Sequence, residues 1–489
     1  MRSLVLALPT LAALVGATPA PLGSLTSPSD LTTNANHVFN AIHSALRQWG
    51  SSLNHNGMSY FLATVPKGTQ LYHGTSKEEP ISGMEWLAYE PEHSLVFSGR
   101  HGGPPPFHDN FRLNDQQQPL FESGPPEDDD DLAGYLHTYC AAHPLRLIYV
   151  DGEAAAKSDK GTLDTQDYIL LNGTEKKGVF WDFERAKGMC ELAATEWKGQ
   201  IHGILRMEGG FEIILCSFKD SLEVVRITRA KSDSRLEEQK FDYYRAITAR
   251  YDGVGGDRTL LNYDQFVTGF DAKYGIDLFR EVEGRTLPRL MNATAKQVGM
   301  MREDIRRVVL GMGTDVSLPE HSFNWQGVAD MIVGRYAARL KYLVSPSLST
   351  LEAFQREIDS TLQPFIDYAR RNSTTESERC ATQFIPETAP TASESMAAAA
   401  VSHVAHTICS TLLSASEETS YEAAVEKVKE LIEYLDWTTW KECGACDPDK
   451  LCMLPIWPFG SLEDFMHPTC MNATQMTGRR GYWRLWGRS

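Results

Sequence analysis

The spacing of apolar positions changes twice along the chain. Between residues 37 and 49, Val38, Phe39, Ile42, Ala45, Leu46 and Trp49 recur at helical intervals, and Gly50 is placed to stop the helix. From 68 to 227 the apolar runs are short and bounded by turn residues. Residues 68–73, 145–150, 167–171, 201–207, 211–218 and 222–227 read as strands, with a helix at 184–197. The last three strands are separated only by Gly209-Gly210 and Lys219-Asp220, and such short connections favour antiparallel pairing.

Beyond about 235 the helical period returns. It marks helices at 236–250, 296–310, 325–343, 349–370, 394–413 and 421–437. In the last of these Ala424, Val425, Val428, Leu431, Ile432 and Leu435 form one stripe. The pattern predicts an α+β N-terminal domain with a largely antiparallel sheet (37–232), an all-α domain (233–437) and a short disulfide-bonded tail (438–489).

The first residues do not fit that scheme. Arg2 precedes an apolar run from Leu4 to Val15, shorter than the roughly 20 residues a bilayer span needs. Val15 and Ala17 are small residues at signal-peptidase spacing, so 1–17 read as a signal peptide and the chain is expected to be secreted. Residues 18–36, rich in Ser, Thr, Pro and Asn, follow as a loose leader. Four Asn-x-Ser/Thr sequons, at Asn172, Asn292, Asn372 and Asn472, are the expected glycosylation sites of an exported chain. No later apolar stretch reads as long enough for a membrane helix, so no membrane anchor is expected.

Residues 101–131 interrupt the strand region. Pro104 to Pro106, a Gln triplet and the acidic run Glu127 to Asp131 predict a long flexible loop. Net charge is −17 and the isoelectric point is near 5.3. That excess disfavours nucleic acid as a partner, because phosphate binding needs clustered Lys and Arg.

Of the nine cysteines, Cys443, Cys446, Cys452 and Cys470 lie in the last fifty residues. A second C-x2-C, which a zinc site of paired ligands would use, is missing. Export favours two disulfides among these four, with three pairings open. Cys409, in an apolar helical stretch, reads as a buried residue.

The segment 71–100 carries the candidate chemistry. Leu71-Tyr72-His73-Gly74-Thr75 is a strand ending in His-Gly-Thr, and Gly83-Met84-Glu85-Trp86-Leu87-Ala88 follows. This resembles the core of the poly- and mono-ADP-ribosyltransferases. The resemblance implies NAD as the substrate, with a protein as acceptor, and assigns no cofactor. It implies that His73, Gly74 and Thr75 hold the nicotinamide amide and a ribose hydroxyl, with Trp86 as the stacking ring. A carboxylate must then stabilise the ribosyl cation-like centre. Asp167, Glu208 and Glu212 are the candidates.

Leu71 to Gly74, Gly161 to Asp167, Gly210 to Cys216 and the tail with Pro455-Ile456-Trp457-Pro458 are also similar to a group of secreted proteins of filamentous fungi. That likeness implies export and architecture, and no reaction. Two readings therefore stand: an NAD-using transferase or glycohydrolase, and a non-enzymatic secreted protein acting at the cell wall or through its surface.

Overall fold

The computed structural model describes residues 32–98, 134–173, 181–230, 236–282, 285–312 and 322–483. The expected signal peptide at 1–17 and the expected loop at 101–131 lie outside these residues. Nine strands form one sheet: β1 (Ser59–Val65), β2 (Gln70–Thr75), β3 (Glu85–Ala88), β4 (Tyr135–Ala141), β5 (Leu145–Val150), β6 (Gly203–Met207), β7 (Phe211–Leu215), β8 (Leu222–Arg229) and β9 (Leu260–Thr268). Their order is β8-β4-β2-β3-β7-β6-β5-β1-β9, and every neighbouring pair is antiparallel except β5 with β6. A separate hairpin pairs β10 (Phe279–Val282) with β11 (Arg285–Pro288). Strands β1, β6 and β7 are buried along their whole length. They are therefore mainly apolar on both faces, with Ser59, Thr64, Arg206 and Glu212 as the buried polar exceptions.

The expected α+β architecture with a helical C-terminal part is present, and several elements differ in detail. The helix read over 37–49 is two helices, α1 (Ala35–Ser44) and α2 (Gln48–Leu53), hinged where Leu46 takes a positive φ of 56°. Gly50 does not stop the helix. It lies inside α2, where a Cβ would sit 2.3 Å from Ser44 Oγ, so glycine lets the second helix fold back on the first. Residues 167–171 are not a strand. They lie in a π-helical turn, Thr165–Leu170, because a contiguous apolar run such as Ile169-Leu170-Leu171 has no period to separate a strand from a buried helical turn. Strand β9 lies beyond residue 232 and pairs with β1, so the chain returns to the sheet after helix 236–248.

Helix α3 (Pro91–Leu95) lies beside β2, and α4 (Asp182–Ala194) lies beside β6. Next come α5 (Leu236–Thr248) and α6 (Ala295–Gly311), then α7 (Trp325–Leu343) and α8 (Leu351–Leu362). The last three are α9 (Ser373–Thr382), α10 (Met396–Ser416) and α11 (Tyr421–Leu435). The helix read over 349–370 ends early, at Leu362, with a 3-10 turn through Pro364, and α9 was not anticipated. Helix α10 corrects the expectation about membrane spans, being long and apolar enough to cross a bilayer. In the fold it is a core helix. Its Ala397 to Val401 run, Val404 and Ile408 are buried against α9, α1 and α11.

Four disulfides form among the described residues: Cys190–Cys216, Cys380–Cys409, Cys443–Cys452 and Cys446–Cys470. Cys409 is thus bonded to α9 and is not a free buried thiol. Cys140 remains free. The tail pairs β12 (Leu451–Met453) with β13 (Thr469–Met471) and packs Ile456, Trp457 and Phe459 against Trp49, Phe241 and Tyr244. Cys190–Cys216 fastens α4 to the residue after β7 across a 26-residue separation. Replacing both cysteines by serine should lower unfolding free energy by roughly 3 kcal/mol in urea titrations. Peptide mapping without reduction should return the four pairs and an alkylatable Cys140.

Candidate functional site

Two segments that carry the transferase resemblance, and one of its three candidate acids, lie on three neighbouring strands, while Glu92 to Leu95 lies in helix α3. Strand β2 ends in His73-Gly74-Thr75, β3 carries Trp86, and β7 opens on Phe211-Glu212. Tyr72 lies opposite Ala88, Ala88 opposite Glu212, and Glu212 opposite Arg206. Directly opposed side chains share a face, so this row and Trp86, two residues from Ala88, point to the same side of the sheet. Helix α3 lies close on this side at Gly74, where a Cβ would fall 1.8 Å from the Ser94 carbonyl oxygen. Only glycine permits that approach.

His73, one residue on from Tyr72, begins the opposite face. It pairs with His137, and its ring meets those of His137 and Phe218 edge-on at 6.1 and 5.6 Å. A carbonyl can only accept, so His73 Nδ1 carries the hydrogen that it donates to Trp86 O at 2.7 Å. Burial lowers its pKa to about 4 despite that bond. The structure thus brings Gly74, Trp86 and Glu212 to one side and leaves the His73 imidazole in the other. Thr75 ends β2, its hydroxyl accepting from Lys77 N at 3.3 Å.

The three candidate acids fare differently. Asp167, in the π-turn, is held by Arg185 through Nε at 2.6 Å and Nη2 at 3.1 Å. Glu208 sits in the turn after β6 and pairs with Lys157 Nζ at 2.5 Å. Glu212, on the strand, accepts from Arg206 Nε at 2.8 Å. Arg206 is fully buried, and its other nitrogens reach Asp182 at 3.1 and 2.7 Å and Gln166 Oε1 at 2.8 Å. Lys157 also approaches Asp182 at 3.4 Å.

Asp182, Arg185, Arg206 and Lys157 had no signal in the linear pattern. Lys157 ends the loop Gly152-Glu153-Ala154-Ala155-Ala156-Lys157, and Asp182 is an ordinary acidic residue in the first turn of α4.

Burial raises the pKa of Glu212, opposed by Arg206, and raises that of Glu208, opposed by Lys157. Burial also acts on Asp182, but Arg206 and Lys157 outweigh it and hold this carboxyl below the usual range. A row of acids with separated proton affinities is suited to charge stabilisation and proton transfer. Asp182, Glu208 and Glu212 place carboxylate oxygens within 4.8 Å of one another, as a metal centre would. Two fixed cations already bridge them, and a divalent ion would have to displace both.

Aromatic groups border the cluster. Phe183 is 53% exposed, and its ring centroid lies 6.3 Å from that of Trp86. Trp86 Nε1 is buried and has no hydrogen-bond partner among the described residues. The tail supports the other side. Trp457 donates its backbone N–H to Glu153 Oε2 and its indole N–H to Lys157 O, both at 3.1 Å. The Lys157 ammonium lies 5.2 Å from the centre of the Trp457 ring.

Residues 25–105 and 108–238 match the model of the family described as the YPL277C N-terminal domain, a span that holds every residue of this cluster outside the tail. Two curated proteins of Saccharomyces cerevisiae are similar to the chain. The uncharacterized protein YPL277C is 28% identical over 375 residues, covering 63% of this chain and 74% of its own length. The uncharacterized protein YOR389W is 28% identical over 371 residues, covering 63% of this chain and 58% of its own length. These relatives are budding-yeast proteins, where the linear motifs pointed to filamentous fungi. No solved structure matches.

Two outcomes check this arrangement. Because the folded pKa of His73 lies below the unfolded 6.5, its contribution to stability is present above pH 6.5 and is lost as pH falls towards 4. His73→Asn, which keeps an N–H near Nδ1, should flatten the decline of the thermal midpoint over that window, by an amount on the order of 3 kcal/mol at most. Trp457→Ala should cost about 3–5 kcal/mol by cavity formation, measured by urea unfolding.

Proposed function

We propose that this chain is an exported, N-glycosylated enzyme of the ADP-ribosyltransferase type, cleaving the bond between nicotinamide and ribose in NAD and passing the ADP-ribosyl group to a protein or to water. One observation carries the reading. Two motif segments, ending in His73-Gly74-Thr75 and carrying Trp86, and the candidate acid Glu212 lie on consecutive strands β2, β3 and β7, with Glu212 in the row of Tyr72 and Ala88.

In this scheme the Gly74 backbone holds the nicotinamide amide and Trp86 stacks on the ring. Glu212 faces the ribose, where its charge stabilises the cation-like centre as nicotinamide leaves. Arg206 orients Glu212 and counters the rise in its pKa. His73 supports the Trp86 backbone from the far face, a positioning role where the resemblance implied a ligand contact.

Export is supported by the four disulfides and by the sequons. Asn172, Asn292 and Asn372 are exposed, and Asn472 is half-buried. The second reading, a non-enzymatic secreted protein acting through its surface, is favoured by a different observation: each acid of the cluster already has a cation partner, as in a purely structural network.

Incubation with NAD separates them. Purified secreted protein should release nicotinamide, and Glu212→Gln should reduce the rate by about 100-fold or more while remaining folded by circular dichroism. A folded wild-type protein whose nicotinamide release equals that of Glu212→Gln would sink the enzyme reading.

A further inference from the structure

The helical part carries a polar trough of about 680 Å³ that lies far along the chain from the sheet cluster. It falls in the range of roughly 300–1,000 Å³ of small-molecule sites. Its walls come from three helices. Gln355 and Asp359 line it from α8, Arg371 and Asn372 from the start of α9, and Ser416 and Glu417 from the end of α10. Gln355 closes one end by donating to the carbonyls of Ser416 and Glu418 at 2.9 and 3.1 Å. Asp359 and Glu417 are exposed carboxylates with no ion pair among the described residues.

Asn372 is also the acceptor of a sequon, Asn372-Ser373-Thr374. It is the N-cap of α9. Its Oδ1 accepts from Thr375 N at 2.9 Å, while its own backbone N–H goes to Glu376 Oε1 at 3.1 Å. Capping therefore uses the side-chain oxygen. The amide nitrogen, the atom that takes a sugar, makes no hydrogen bond among the described residues. Glycosylation there leaves the cap intact. Thr374, whose hydroxyl defines the sequon, is exposed.

We infer that the N-linked glycan of Asn372 folds back into this trough, so that its first sugars bridge α8, α9 and the end of α10. The lining fits a carbohydrate. Sugar hydroxyls both donate and accept, and the trough offers carboxylate acceptors at Asp359 and Glu417 and guanidinium donors at Arg371. Arg371 is fixed for this purpose by Glu376, through Nε at 2.9 Å and Nη2 at 3.2 Å. The proposal rests on the export reading and is independent of the NAD chemistry.

The test uses full-length protein secreted from a host that adds N-glycans. Glycopeptide mass spectrometry reads occupancy at each sequon. Amide hydrogen exchange over 371–376 and 414–418 is then compared for the intact protein and for Thr374→Ala, which removes the sugar and keeps the Asn372 cap. Asn292→Gln, removing the sugar at Asn292 while leaving the Thr294 cap of α6, is the control. The expected result is an occupied Asn372 and exchange faster by several-fold over both segments in Thr374→Ala, with no change there in Asn292→Gln. Occupied sequons elsewhere with a bare Asn372, or an occupied Asn372 with equal exchange in the two proteins, overturns the inference and leaves export standing. A secreted chain without sugar on any sequon overturns the glycosylation reading and this inference together.

Discussion

The cluster is organised by one buried guanidinium. Arg206 has no exposed side-chain surface, and every direction from it meets an acceptor: Glu212 on the neighbouring strand, Asp182 at the start of α4, Gln166 in the π-turn. A charge so placed costs several kcal/mol to desolvate and is tolerated only when its hydrogen bonds are complete. The requirement works in both directions. Arg206 needs α4 and the π-turn docked on the sheet, and their acids need Arg206. Without it, the half-buried Asp182 and the buried Glu212 would lack their main counter-charge.

The second consequence concerns the tail. Lys157 completes the cluster by reaching Asp182 and Glu208, and its own carbonyl accepts from the Trp457 indole. The tail is thus a strut behind a site residue, closed by Cys443–Cys452 and Cys446–Cys470. The charge row and the cross-linked tail therefore belong to one construction, although 300 residues separate Lys157 from Trp457 in sequence.

Much of the architecture was legible. The strand at 145–150 and the helices at 325–343 and 421–437 follow from the run or period of their apolar positions, because each buries a face or most of its length; the strand at 222–227 was readable too, although it is largely exposed at the sheet edge. The failures share a cause. Asp167 to Leu171 is apolar without a period. Strand β9 is broken by Asp264-Gln265, where Asn262 Oδ1 caps the following N–H groups and the register with β1 shifts. Gly50 looked like a stop and instead permits a close crossing. In each case a specific contact, such as Asn262 with the 264 and 265 amides or Ser44 against Gly50, outweighed the preference that residue type alone suggests.

The candidate site divides along the same line. Residue types and strand ends were readable from the linear chain: His-Gly-Thr closing one strand, a glutamate opening another, sequons spaced along the surface. Which glutamate stands beside Trp86, that the His73 ring belongs to the other face, and that Arg206 and Lys157 neutralise the acids were decided only by the folded sheet. The physical reason is that a side chain's face follows from strand register, and register is set by pairing with strands far away in sequence. Periodicity reports whether a residue is buried; only the packed structure reports which charge it is buried against.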